Sequence, residues 1–172
     1  MGVFARTRSI GTAAAVIASL MTVAYAGMKV VMAIRGELGL PGFPPKPTSD
    51  TTNPDIARNE WTLALLGLVA AGIAAFTLLP VARRVPRWLL ACAVWAAGVS
   101  QAFGAIGMTL RATRIMPDLG PEPTGWTTWA VLLVLDIGAV AWIILGWNVA
   151  RRDAVILTSP RRMMAEEEWQ SR

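Results

Sequence analysis

The chain has 172 residues, 55% of them apolar and only 16% charged, whereas a soluble domain is nearer a quarter charged and needs no long apolar blocks. Its net charge of +5 comes from arginines that flank apolar segments, the pattern of membrane topology rather than of a nucleic-acid-binding surface. With no His and a single Cys, Cys92, the chain is a poor host for zinc, haem, a Ser-His-Asp triad or an internal disulfide, and no metal or cofactor is expected.

The first apolar block runs from about Ile10 to Ile34. Arg6 and Arg8 precede it, and Ala24-Tyr25-Ala26 inside it has the form of a signal cleavage site. A cleaved signal has a core of about 7–15 residues. This block continues through Gly27 to Ile34, which favours a retained helix. The first loop, Arg35 to Glu60, follows. Pro41, Pro44, Pro45 and Pro47 predict extended, polyproline-like chain there, and Thr48 to Asn53 a polar, mobile stretch.

The second block spans Trp61 to Ala82, the third Trp88 to Leu110 and the fourth Thr128 to Ala150. Each block has roughly the 20 residues that cross a hydrocarbon core about 30 Å thick. The second loop, Arg111 to Thr127, again carries prolines: Pro117, Pro121 and Pro123. Residues 1–152 are thus expected to form one four-helix transmembrane domain, and 153–172 a short tail. Glu166, Glu167 and Glu168 read as a solvated face of that tail.

The arginines set the expected orientation. One side holds Arg6, Arg8, Arg83, Arg84, Arg87, Arg151, Arg152, Arg161, Arg162 and Arg172; the other holds Arg35, Lys46, Arg58, Arg111 and Arg114. By the positive-inside rule the richer side is cytoplasmic, with both termini in. Trp61, Trp88, Trp126, Trp129 and Trp147 lie near block ends, where amphipathic rings favour the interface. The fold expected is an all-α, integral membrane four-helix bundle of the plasma membrane. The excess of Arg, Ala and Gly suggests a GC-rich bacterial genome.

A weak internal repeat is visible. Gly27, Met28 and Pro41 match Gly107, Met108 and Pro121 at an offset of 80, and Trp61 and Val81-Ala82-Arg83-Arg84 match Trp129 and Val149-Ala150-Arg151-Arg152 at 68. Helices one and two then read as a copy of helices three and four, as in parallel-repeat transporters. Apolar helices with arginines at their ends also match one another without common descent.

Asp136 is the most informative residue. It lies nine positions past Thr127, about 13 Å along the helix and close to mid-membrane. A carboxylate there costs about 2.5–3.5 kcal/mol on insertion scales, so an interior position with partners is expected. Tyr25 and Gln101 fall at the same depth, with Ser100 beside Gln101. Lys29 is one turn from Tyr25 on the same helix side. Side chains lean toward a helix N-terminus, so Lys29 and Asp136, on oppositely directed helices, lean toward each other. The expectation is an interior cluster of Asp136, Lys29, Tyr25 and Gln101, between helices one, three and four. Such a cluster either glues helices together or forms a binding or proton-handling site. Lys29 can instead snorkel to the interface.

A second group sits at the outer mouth: Arg35, Glu37, Glu60, Arg111 and Arg114. Its arginines can hold an anionic group or simply pair with the nearby acids, Asp118 included. Gly67, Ala71 and Ala75 on helix two, and Gly98 and Ala102 on helix three, are spaced by four. Such rows permit close helix approach, within the chain or in an oligomer.

The segment A-Y-A-G-M-K-V-V-M-A-I-R-G-E-L-G-L-P-G, Ala24 to Gly42, looks like the end of helix one in small four-helix bacterial membrane proteins. The layout resembles the broad DoxX-like group, whose first helix often ends with a Gly and a nearby Lys. Gly27 and Lys29 stand at the matching positions; the first loop is longer here. The resemblance implies a four-helix bundle and no particular activity.

Three functions fit these residues. One is a bundle that binds or moves a small lipophilic or amphiphilic molecule read by Asp136. Another is a membrane-embedded isomerase or cyclase using Asp136 as acid or base, with Tyr25 or Lys29 assisting. The last is an accessory or structural subunit of a membrane complex.

Overall fold

The computed structural model describes residues 2–37, 39–43, 54–116 and 125–151. Pro44, Pro45, Pro47 and the Thr48–Asn53 stretch, Pro117, Pro121, Pro123, Asp118 and the tail from Asp153 lie outside these residues. Four long helices make up the described chain: α1 (Gly2–Arg35), α2 (Pro54–Phe76), α3 (Arg87–Ala112) and α4 (Trp126–Arg151). A five-residue 3₁₀ turn, Pro80–Arg84, stands between α2 and α3. All four helices are long and apolar enough to cross a membrane, because each is dominated by apolar residues over most of the length a bilayer requires, with few charges such as Lys29 in α1 and Asp136 in α4.

Helix α2 differs most from its apolar block. It starts at Pro54, well before Trp61, and ends at Phe76, before Ala82. Proline suits a first helical position, since its φ is already helical and the N–H it lacks has no partner there anyway. Asp55 adds a favourable charge in the first turn. At the other end the Thr77 hydroxyl donates to the Ala74 carbonyl at 2.7 Å. The chain then tightens into i→i+3 bonds, Leu78 to Ala75 and Leu79 to Phe76. Pro80 forces the residue before it out of helical geometry, and Leu79 is extended, φ −78 and ψ 144. Apolarity continues past this point, so the block looks longer than the helix.

The helices pack in the order α2, α1, α4, α3, with α1 against both α2 and α4, and α4 against both α1 and α3. Between α2 and α3 the seam is nearly unpacked. Small residues allow the close contacts. The Cβ position of Gly67 lies 3.2 Å from the Ala26 Cβ, that of Gly98 3.3 Å from the Trp142 Cβ, and that of Gly146 3.0 Å from the Trp95 ring. On α2 the buried row is Ala64, Gly67, Ala71 and Ala74, while Ala75 is exposed. A strict spacing of four drifts around a 3.6-residue helix, whereas alternating three and four stays on one face.

Two apolar clusters fill the bundle. One, at the end carrying Arg83, Arg84 and Arg151, is built from Ala14, Ala15, Ala18, Ala74, Val94, Trp142, Leu145 and their neighbours. The other, at the loop end, joins Ala105, Val131, Leu132 and Leu135 to Leu40 and Phe43 of the first loop. From the first cluster the Trp142 indole Nε1 donates to the Thr22 hydroxyl at 3.0 Å, both groups fully enclosed. Replacing Trp142 with Phe keeps most of the apolar volume but strips Thr22 of this donor. The expected cost is about 1–2 kcal/mol, read from thermal unfolding in detergent micelles.

Candidate functional site

Lys29, Glu60, Tyr25 and Arg111 gather around the first loop. Lys29 and Glu60 are both buried, and the Lys29 Nζ lies 2.9 Å from Glu60 Oε2. That contact is ionic rather than a well-directed hydrogen bond. The same ammonium donates to the Gly39 carbonyl at 2.8 Å, and the Gly39 N–H donates to Glu60 Oε1 at 3.2 Å. A closed ring of three contacts thus ties α1, α2 and the loop together. Tyr25 lies beside it, its ring centroid 5.8 Å from the Lys29 Nζ.

Beyond Gly39 the loop turns inward. Leu40 and Phe43 are buried, and the Arg111 guanidinium lies over the Phe43 ring at 5.3 Å. The Thr128 hydroxyl, in the first turn of α4, donates to the Gly42 carbonyl at 2.7 Å. The turn is tight: Gly42 has φ +83, and a Cβ there would meet the Thr128 backbone nitrogen at 2.8 Å. These contacts make the loop a plug over the mouth between α1, α3 and α4.

Asp136 stands apart from this ring. It is exposed on the flank of α4, and its Oδ1 accepts a long hydrogen bond, 3.4 Å, from the Thr109 hydroxyl of α3. The expected pairing with Lys29 is not formed, because Lys29 is taken by Glu60 on the opposite neighbour of α1. Gln101 does not join either group. Its Nε2 is buried beside Gly138 without a hydrogen-bond partner, and Ser100 is exposed. The structure therefore brings together Lys29 and Tyr25 of the expected interior cluster, and leaves out Asp136, Gln101 and Ser100.

The mouth group divides as well. Glu60 belongs to the buried ring, whereas Arg35 and Glu37 are exposed. Arg111 and Arg114 do not share a helix side, because α3 ends at Ala112 and Arg114 takes a left-handed conformation, φ 59. Glu60 as the partner of Lys29 was missed because the apolar block begins at Trp61. The legible signal was Pro54-Asp55, a helix start that carries Glu60 into the second turn. The outward face of Asp136 also had a signal. Trp129, Leu133, Asp136, Val140, Ile144 and Trp147 recur at spacings of three and four, and all are exposed. Asp136 thus shares its stripe with two tryptophans of interfacial type.

Along that flank runs an apolar groove of about 440 Å³ between α1 and α4. Ile10, Ala13 and Ile17 form one wall and Ile137, Val140 and Ile144 the other, with Asp136 at its edge. No family model, curated protein or solved structure matches the chain.

Proposed function

We propose that the chain is an accessory subunit of a membrane complex, docked to a partner transmembrane segment through the α1–α4 flank. One observation carries this: Asp136 is exposed, halfway along a helix suited to cross a bilayer. A carboxylate facing hydrocarbon at that depth is unfavourable by about 2.5–3.5 kcal/mol, and membrane helices relieve such charges by pairing them. Thr109 supplies only one long hydrogen bond. A basic side chain on a partner helix laid in the groove would neutralise the charge. The ring of Lys29, Glu60 and Gly39 and the packed Leu40 and Phe43 support the same reading, since they occupy the mouth through which an interior ligand would enter.

In this reading the protein is multi-pass in the cell membrane, of a bacterial type, with both termini and Arg83, Arg84 and Arg151 cytoplasmic. The two hairpins, α1–α2 and α3–α4, descend from one. In support, Met28 and Met108, equivalent in the repeat, pack against the same apolar cluster.

A second reading places a small lipophilic or amphiphilic molecule in the same groove. It is favoured by the groove lining, apolar except for one acceptor. One experiment separates the two. A photo-crosslinking residue is placed at Val140, and separately at Leu66 on another face, in native membranes. The expected result is a protein-sized adduct at Val140, reduced about tenfold by Asp136→Asn and absent at Leu66. An adduct of small-molecule mass that depends on Asp136 would transfer the proposal to the second reading. Equal labelling from both positions, or labelling indifferent to Asp136→Asn, would defeat both.

A further inference from the structure

Helices α2 and α3 are consecutive and joined by ten residues, Thr77 to Pro86, yet they scarcely touch. A laterally open groove of about 490 Å³ separates them. Its lining is almost wholly apolar: Val69, Ile73 and Phe76 on α2, Val85 in the connector, Leu89 and Ala93 on α3. Gly72 also lines it, and a Cβ added there meets nothing within 4 Å. So short a connection normally brings two helices into contact. Here the side chains leave room for something that is not part of the bundle.

The chemistry at one end of the groove is specific. The connector that closes it carries Arg83 and Arg84, with Arg87 at the start of α3, and all three are exposed. Val85, which lines the groove, lies between them in sequence. From Trp61 to Met116 the chain contains no Asp or Glu. Among the described residues the acids are Glu37, Asp55, Glu60 and Asp136. The first three belong to the loop end and Asp136 lies midway along α4, so none stands at the arginine end.

The geometry points to a binding site for an anionic phospholipid, its acyl chain in the α2–α3 groove and its phosphate on Arg83 and Arg84. An apolar trough with exposed arginines in the connector at one end matches the two ends of one lipid molecule. Basic pockets between transmembrane helices take acidic head groups in this way, and the guanidinium fork suits phosphate. A zwitterionic lipid offers the same phosphate but brings a cationic group against the arginines. The site rests on the reading of the chain as membrane-spanning. It is independent of the Asp136 flank, which lies on a different seam, so failure of one leaves the other standing.

The test uses the full chain purified in detergent. Phosphatidylglycerol or phosphatidylcholine with identical acyl chains is added at equal mole fraction, and bound lipid is counted by native mass spectrometry. At least fivefold preference for phosphatidylglycerol is expected. Arg83→Gln combined with Arg84→Gln should bring the ratio near one while leaving chain binding intact. Gly72→Leu, which fills the groove, should reduce both lipids alike. Equal binding of the two lipids by the unaltered chain, or an undiminished preference in the double arginine variant, would overturn the site. Inorganic phosphate displacing phosphatidylglycerol as effectively as the lipid itself would overturn the role of the groove. Should Gly72→Leu fail to fold, the arginine variant alone decides.

Discussion

Replacing Glu60 with alanine is expected to lower the stability of the folded chain by about 3–5 kcal/mol, the cost of leaving a buried charge without its partner. Lys29 and Glu60 are 6% and 0% exposed, so neither can turn to water without opening the α1–α2 contact. The ammonium keeps the Gly39 carbonyl, 2.8 Å away, but one dipole does not neutralise a full charge. The Gly39 N–H also loses its acceptor, Oε1. Thermal or denaturant unfolding in micelles measures the loss. A second variant separates charge from packing: Lys29→Met combined with Glu60→Met replaces both ions with apolar bulk. It should recover more than half of the lost stability, since a well-packed apolar pair often matches a buried ion pair. The Gly39 contacts stay unmade, which keeps the recovery incomplete. A cost below about 1 kcal/mol for Glu60→Ala would mean a pair that water reaches, because exposed pairs contribute no more than that.

Gly42→Ala should cost about 2–5 kcal/mol. Its φ of +83 is strained for any residue with a Cβ, and that Cβ would sit 2.8 Å from the Thr128 nitrogen. Left-handed backbone costs about 1–2 kcal/mol and forced overpacking about 1–3 kcal/mol more. The clash is with backbone in the first turn of α4, so a side-chain rotation cannot relieve it. The loop should lift, exposing Leu40 and Phe43 and raising amide exchange in residues 39–43. Gly27→Ala is the matched control. Gly27 is helical and exposed, and a Cβ there meets nothing within 4 Å. It should leave stability unchanged or raise it by about 0.5–1 kcal/mol. Equal effects at the two positions would show that the loop does not seat on Thr128.

The buried ring and the exposed flank separate Lys29 and Glu60 from Asp136. Lys29 and Glu60 cancel one another inside the fold, and their chemistry is spent on holding the plug. Asp136 is left on the surface at mid-helix, where among the described residues it has only the long hydrogen bond from Thr109. That contrast moves the functional question from the interior of the bundle to its flanks.

Four helices and their approximate extents were determined by the sequence alone, because length and apolarity are sums over neighbouring residues. Three of the four apolar blocks lie within the helices that form. The second block, Trp61 to Ala82, was displaced by two prolines, Pro54 opening α2 early and Pro80 stopping the chain after Phe76. Which face of each helix turns inward was decided only by the tertiary structure. A helix apolar all round carries little amphipathic signal, so the depth of Asp136 could be counted but not its direction. Depth also left the partner of Lys29 open, since Asp136 and Glu60 lie on different helices and only packing chooses between them. The structure placed α2 against α1, and with it Glu60 against Lys29. It likewise seated Leu40 and Phe43 in the mouth, a contact between a loop and α4 set by the Gly42–Thr128 approach and by no local pattern.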